Sequence, residues 1–142
     1  MEFGEFRRRN PQGARSEPSP ELDRLAHAVI GAAIEVHRLL GPGHNESTYE
    51  EAMCVEMDLR GIAFARQFDY GIEYKGKVVG RGRIDLLVGN DLIVELKSCD
   101  GFAPIHTAQI LSYMRATGRK LGLIINFNVL LLQDGIKRIV LS

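Results

Sequence analysis

Hydrophobic residues recur every three or four positions between residues 22 and 40. This spacing predicts an α-helix with one buried face. Ser19 is well placed to cap the helix because it precedes Pro20, and proline is favoured at the first helical position. The sequence Gly-Pro-Gly at residues 41–43 ends the pattern, so the first helix is predicted to run from Pro20 to about Leu40.

Two further helices are indicated by their end signals. The second is predicted to begin near Ser47, which forms a capping-box pattern with Glu50, and to end at the Arg-Gly pair of residues 60–61. The third is predicted from about Pro104 to Thr117, because Gly118 follows it directly.

The other segments alternate between apolar and polar residues or form short apolar runs, as β-strands do. The expected strands are residues 64–74, 77–88, 92–97, 121–126 and 136–141. In the first strand the aromatic residues are in phase, which predicts that Phe64, Phe68 and Tyr70 share one face. In the second strand Gly80 and Gly82 indicate a bulge or the close approach of a ligand, although ordinary strand twist also explains them. Two helices, three strands, a helix and two strands, in that order, predict an α/β fold.

Charged residues interrupt the most apolar strands at Asp85, Glu95 and Lys97. Unpaired charges are costly to bury, so their positions require a reason. Glu95 and Lys97 are two residues apart and therefore project from the same face of their strand. If Val88 pairs with Leu92 across a three-residue loop, Asp85 lies opposite Glu95, with Cβ atoms roughly 5 Å apart. A two-residue loop would send the carboxylates to opposite faces, and we expect the three-residue loop or a bulge of the same parity.

Two carboxylates that converge beside a lysine form a suitable site for a hard divalent cation and a phosphate group. The alternative interpretation is a buried salt bridge, in which Lys97 pairs with one or both acids to keep the sheet in register. Such pairs contribute little to stability, so the metal and phosphate site is the preferred hypothesis. We expect the carboxylates of Asp85 and Glu95 to lie close enough to share one cation, with Lys97 beside them.

Composition narrows the class of protein. The chain has 142 residues, 45% hydrophobic and 25% charged, which predicts one globular domain at residues 19–142 after a flexible tail at residues 1–18. The formal net charge is zero, which argues against a general nucleic-acid coating protein but permits a local basic surface. No signal peptide or membrane span is recognised, and Cys54 and Cys99 are expected to be reduced thiols. The predicted location is therefore the cytoplasm.

Several motifs together resemble the PD-(D/E)XK nuclease superfamily. An aspartate, a hairpin and then Glu-x-Lys occur at Asp85, Glu95 and Lys97, with Ile84 in place of the usual proline before the aspartate. The string Gly-x-x-Glu-x-x-Tyr at residues 43–49 is similar to the motif that names the GxxExxY protein family. Gln109 and Tyr113 are similar to the Gln-x-x-x-Tyr of the exonuclease-like branch. The resemblance covers roughly residues 22–142.

The resemblance implies an αβββαβ core, with a mixed sheet flanked by helices and an extra N-terminal helix. It also implies a metal-dependent nuclease that hydrolyses phosphodiester bonds of nucleic acid, with DNA as the expected substrate and Mg²⁺ or Mn²⁺ as the cofactor. The implied roles fall into two groups. Metal ligands are expected at Glu46, Asp85, Glu95 and the Leu96 carbonyl, and the catalytic residues are expected to be Asp85, Glu95, Lys97, Gln109 and Tyr113.

Within these roles, Lys97 is expected to orient the attacking water or to stabilise developing negative charge. Gln109 and Tyr113 are four residues apart on one helix face, so both can reach the same edge of the sheet, to position the substrate phosphate or to hold Lys97. Packing of that helix face is the alternative explanation for them. For Glu46 the alternative is an ordinary acidic residue at a helix start.

Two other functions remain open from the sequence. The domain can be a binding module that no longer cleaves and acts within a protein–nucleic acid complex. The zero net charge mildly favours this hypothesis. The presence of Asp85, Glu95 and Lys97 opposes it. A zinc site built from His37, His44 and a cysteine is the weaker alternative, because the sequence lacks paired ligand spacing.

Overall fold

The computed structural model describes residues 17–141, so most of the predicted tail lies outside the described residues. The elements follow the predicted order. They are helices α1 (Pro20–Leu40) and α2 (Glu46–Leu59), strands β1 (Phe64–Tyr74), β2 (Lys77–Val88) and β3 (Leu92–Lys97), helix α3 (Pro104–Thr117), strand β4 (Leu121–Asn126), a 3₁₀ turn (Leu132–Gly135) and strand β5 (Ile136–Val140). The last strand ends one residue earlier than expected.

One five-stranded sheet organises the molecule, with the strands in the order β1-β2-β3-β4-β5. Strands β3 and β4 are parallel and the other neighbours are antiparallel. Parallel neighbours need a crossover connection, which α3 supplies. The mixed sheet and the three helices confirm the predicted α/β fold with an additional N-terminal helix.

The helix starts agree only in part with the sequence signals. The Ser19 hydroxyl accepts a hydrogen bond from Leu22 N at 3.1 Å, which confirms the predicted cap of α1. The capping box expected for α2 is wrong, because the helix begins at Glu46 and has Asn45 at its N-cap. The side chain of Glu50 instead accepts hydrogen bonds from Arg66 and Gln67 of β1. These contacts attach α2 to the edge of the sheet.

Each face of the sheet covers a separate hydrophobic cluster. The larger cluster joins α1 and α2 to the sheet, and Tyr49 stacks on Phe127 within it at 4.4 Å between ring centroids. The smaller cluster lies under α3 and includes Tyr70, Ile110 and Met114. The larger cluster contains most of the buried apolar residues. The charged residues of the candidate site lie beside the smaller cluster.

The prediction that the aromatic residues of β1 share one face is wrong. Phe64 packs against the α1 and α2 cluster, whereas Phe68 and Tyr70 belong to the α3 side. Between them, Gln67 has a positive φ of 48°. This left-handed conformation is costly for a residue with a side chain, and it shifts the strand out of regular alternation.

Candidate active site

The register of the β2–β3 hairpin is the one that the three-residue loop requires. Val88 pairs with Leu92, and Leu86 pairs with Val94. Gly89 and Asn90 have φ values of 58° and 69°, and Asp91 N donates to Val88 O at 3.2 Å, so the loop is a tight turn. Two consecutive positive φ values favour glycine and asparagine, which occupy these two positions. The predicted parity is therefore confirmed.

Asp85 lies where regular strand pairing stops. On the β1 side, Arg66 pairs with Leu86 and Phe68 pairs with Ile84, but the intervening Asp85 forms no such pair. The alternation of β2 also changes here, because Ile84 and Leu87 both pack on the α3 side although they are three residues apart. The β2–β3 register of Leu86 to Val88 extends in phase to Asp85, which lies half-buried beside Glu95.

Asp85 and Glu95 replace the missing ladder hydrogen bonds with bonds from their side chains. Asp85 N donates to Glu95 Oε2 at 3.3 Å, and Leu96 N donates to Asp85 Oδ2 at 2.9 Å. Each carboxylate is thus bound to the backbone of the facing strand. This exchange brings the two predicted ligands together and fixes the Leu96 peptide against them.

The electrostatic environment of the pair is unfavourable for two negative charges. Glu95 is only 7% exposed. Burial, followed by the neighbouring charge of Asp85, raises the pKa of Glu95 to about 9, although Lys97 opposes the shift. In the absence of a cation, Glu95 therefore holds a proton at neutral pH. A divalent cation between the two acids would favour the ionised form.

Lys97 follows Glu95 by two residues on the same strand and is half-buried. Its charge influences Glu95, which places the ammonium group near the pair. Within residues 17–141, however, Lys97 forms no ion pair with either acid. The buried salt bridge considered from the sequence is therefore not formed, and the ammonium group remains available to another anion.

Two tyrosines complete the α3 side of the site. Tyr113 and Tyr70 meet edge to face, with ring centroids 5.4 Å apart. Burial, followed by the charges of Glu95, Tyr70 and Asp85, raises the pKa of Tyr113 to about 12. Burial and then Glu95 also raise the pKa of Tyr70. Both hydroxyl groups therefore stay protonated and can donate hydrogen bonds to an anionic substrate.

The sequence did not identify Tyr70 as a site residue. Its ring lies across Gly82 on the paired strand, where a Cβ atom would overlap the phenol. The sequence predicts a bulge or the close approach of a ligand at Gly82, whereas the group that approaches it is a side chain of the protein itself, Tyr70. The available signal was a glycine within a strand, opposite an aromatic residue and three residues before Asp85.

The segment after Lys97 is held by Asn126, which sequence reasoning also missed. Its Oδ1 accepts from Cys99 N at 3.1 Å, and its Nδ2 donates to Cys99 O at 2.9 Å. Asn126 is 1% exposed, and a buried amide must satisfy its hydrogen bonds within the fold. Phe127 N donates to Lys97 O at 3.0 Å. Together these bonds fix the backbone on which Lys97 is mounted.

The other predicted site residues are less closely gathered. Gln109 is exposed, one turn before Tyr113 in α3, and its side chain forms no hydrogen bond among the described residues. Glu46 is exposed at the first residue of α2. The loop before it reaches the site, because Ser98 Oγ donates to His44 O at 2.5 Å. The roles of Gln109 and Glu46 remain predictions.

Tyr49, the last residue of the Gly-x-x-Glu-x-x-Tyr string, supports the fold at this point. It is fully buried, and its hydroxyl donates to Gly41 O at 2.5 Å and accepts from His44 N at 3.2 Å. These bonds hold the loop between α1 and α2, which precedes Glu46. The tyrosine of the motif therefore positions the loop from within the core.

The donor set fits a hard divalent cation that keeps part of its own coordination shell. Asp85 and Glu95 supply carboxylate oxygens, and the Leu96 peptide lies against Asp85. Among the described residues, no three His, Cys, Asp or Glu side chains are gathered closely enough to hold a metal ion. Mg²⁺ is commonly bound through one or two carboxylates, with water and substrate phosphate oxygens as its other ligands. The same finding gives no support to a zinc cluster.

Two carboxylates and a lysine therefore lie on adjacent strands of a mixed sheet. A family model described as the PD-(D/E)XK nuclease superfamily matches residues 23–139, and the chain belongs to this superfamily. No curated protein matches the chain. No helix within residues 17–141 has the length and apolar character needed to cross a membrane.

Proposed function

We propose that this protein is a metal-dependent nuclease that hydrolyses phosphodiester bonds, with DNA as its substrate and Mg²⁺ or Mn²⁺ as its cofactor. The observation that carries the proposal is the pair formed by half-buried Asp85 and buried Glu95, joined through side-chain bonds to the facing backbones. Superfamily membership supports a nuclease-like phosphodiesterase activity. Membership of the GxxExxY family within it is part of the proposal and rests on the string at residues 43–49.

Asp85, Glu95 and the Leu96 carbonyl would hold the cation. Glu46 is proposed as a further ligand that joins them when the cation is bound, because within residues 17–141 its carboxylate is not grouped with theirs. A divalent cation at this position supplies charge neutralisation and makes a water molecule nucleophilic near neutral pH. The burial of Glu95 strengthens electrostatic interactions within the site, because little water screens them. The carboxylates therefore serve to fix the cation against the scissile phosphate.

Lys97 has the complementary role. Its ammonium group forms no ion pair with the acids in the described part of the chain, so it can face the substrate phosphate. There it would stabilise the negative charge that develops on the phosphoryl oxygens or orient the attacking water. Tyr113, aided by Gln109, would donate hydrogen bonds that position the phosphate.

The test compares wild-type protein with Lys97→Ala on supercoiled, linear and single-stranded DNA and on RNA, each with Mg²⁺, Mn²⁺ or EDTA. Lys120→Ala is the matched control, because Lys120 is an exposed lysine next to the start of β4, at the opposite end of the sheet from Lys97. We expect metal-dependent cleavage by wild type and the control. Lys97→Ala should lose cleavage but retain binding, because Lys97 acts mainly on the transition state.

A different result would favour the binding module. If wild type binds nucleic acid but cleaves none of these substrates with either metal, and Lys97→Ala binds equally well, the enzymatic proposal is wrong.

A further inference from the structure

The β1–β2 hairpin continues as a two-stranded ribbon beyond the sheet. We call residues 71–82, including the turn at Lys75 and Gly76, the ribbon. The β2–β3 ladder covers only Leu86 to Val88, so within residues 17–141 this part of β2 pairs with β1 alone. At about 3.4 Å per residue, the nine residues from Gly76 to Asp85 span about 30 Å.

The ribbon exposes apolar and aromatic side chains that a soluble hairpin does not need. Tyr74 is 62% exposed, Val78 61% and Val79 63%. The register shifts between Ile72 and Glu73, which leaves Val79 as the additional residue of a bulge. A bulge increases the right-handed twist of a ribbon. The exposed side chains are therefore displayed on a twisted, narrow projection.

The charge of the ribbon indicates the chemistry of its partner. It carries Lys75, Lys77 and Arg81 against one acid, Glu73, so its formal charge is +2 in a chain whose net charge is zero. Among the described residues, none of these three cations forms an ion pair. Lys75 lies over the Tyr74 ring, at 5.4 Å from its centroid. A cluster of unpaired cations with exposed aromatic and β-branched residues matches a nucleic-acid surface.

The base of the ribbon lies at the candidate active site. Tyr70 crosses Gly82 where the ribbon begins, and Asp85 follows three residues later. A polyanion that contacts the ribbon along its length would therefore be guided to the carboxylate pair. The major groove of B-form DNA is about 12 Å wide and admits a two-stranded β-ribbon, whereas the major groove of duplex RNA is narrow.

We propose that the ribbon of residues 71–82 enters the major groove of double-stranded DNA, where Arg81 contacts phosphates near the cleavage site and Lys77 contacts phosphates farther along the duplex. This inference rests on the proposed nuclease function and adds the form of the substrate. The exposed Val78 and Val79 would contact base edges and thymine methyl groups.

The test measures the affinity of Lys77→Gln/Arg81→Gln for a labelled DNA duplex by fluorescence anisotropy in EDTA, at several salt concentrations. The control is Arg24→Gln/Lys120→Gln, which also removes two exposed positive charges, at the end of the molecule away from the ribbon. We expect the ribbon variant to bind the duplex about tenfold more weakly or worse, with a log–log salt slope shallower by about two. The control should stay within about twofold of wild type.

The affinities of each protein for single-stranded DNA and for duplex RNA are measured in the same way. If Lys77→Gln/Arg81→Gln does not fold, Lys75→Gln/Lys77→Gln replaces it. Equal losses for the ribbon variant and the control, or a loss confined to single strands or RNA, would overturn the inference. Cleavage in Mg²⁺ separates it from the nuclease proposal. If wild type binds duplex DNA through the ribbon but never cleaves, the ribbon stands and the nuclease proposal fails. If wild type cleaves and the ribbon variant binds duplex DNA as well as the control does, the nuclease proposal stands and the ribbon inference fails.

Discussion

On the face covered by α1 and α2, the buried hydroxyl of Tyr49 is satisfied by Gly41 O and His44 N, and its ring stacks on Phe127. On the face covered by α3, Glu95 is buried beside another acid, and its pKa is raised to about 9. The first arrangement lowers the free energy of the folded state. The second raises it unless a proton or a cation is present. One sheet thus separates a stabilising face from a face suited to ion binding.

The largest difference between the two faces should appear when the carboxyl group of Asp85 or Glu95 is replaced by an amide. Asp85→Asn and Glu95→Gln each remove a carboxyl group that is proposed to hold the cation, and we expect cleavage to fall by about a thousandfold or more. The metal-free free energy of unfolding should be unchanged or higher, because the cost of burying Glu95 beside Asp85, which raises the pKa of Glu95, is relieved. Rate assays and urea titrations in EDTA measure the two quantities. A large loss of stability in both variants would contradict the proposed division between the faces.

A core substitution on the other face should have the opposite signature. Met53 is fully buried in α2, and Met53→Ala should lower the free energy of unfolding by about 2–5 kcal/mol through lost burial and a cavity. The cleavage rate per folded molecule should change little at a temperature where the variant is folded. A rate loss as large as that of Asp85→Asn would show that the two faces are coupled.

The dependence of stability on metal and pH should arise from Glu95, on the α3 side of the sheet. The folded-state pKa of Glu95 is raised from 4.5 to about 9, so the folded state holds its proton more tightly than the unfolded chain does. Without metal, the free energy of unfolding should therefore fall as the pH rises through this window. Glu95→Gln should remove this dependence, and urea titrations of both proteins across the window test it.

At neutral pH, Mg²⁺ at about 100 times its dissociation constant should stabilise wild type by about 2.7 kcal/mol and displace the Glu95 proton. Titration calorimetry in buffers of different ionisation enthalpy measures that proton release. Melts that do not respond to millimolar Mg²⁺ or Mn²⁺ would contradict a cation site.

The smallest expected effects separate the tyrosines of the two faces. Tyr49→Phe removes two buried hydrogen bonds and should cost about 1–3 kcal/mol of stability. Tyr113→Phe should leave stability nearly unchanged and slow cleavage by about tenfold, less than Lys97→Ala, because the cation shares the positioning of the phosphate. Gln109→Ala should have a similar or smaller effect. A rate loss for Tyr49→Phe without a loss of stability would reverse these assignments.

The order of elements and most of their boundaries followed from the sequence, because hydrophobic periodicity and glycine or proline end signals are local properties. The hairpin register was also predictable. The three residues between Val88 and Leu92 fix the parity of the strands, and parity alone placed Asp85 opposite Glu95.

Other features depended on contacts between residues far apart in the chain. Glu50 bonds to Arg66 and Gln67 instead of capping α2, and the left-handed Gln67 moves Phe64 to the opposite face from Phe68. Local propensity cannot predict such exchanges, because each partner has a satisfactory local alternative.

The sequence by itself determined which charges had to be explained and which strands carried them, because a charge within an apolar strand is visible without coordinates. Tertiary structure decided how they are arranged. It brought Tyr70 across Gly82 to the acids and left Lys97 without an ion pair to either acid in the described part of the chain. It also fixed the backbone after Lys97 through Asn126. The physical reason is that burial and hydrogen-bond partnership are properties of the packed sheet, which no single segment contains.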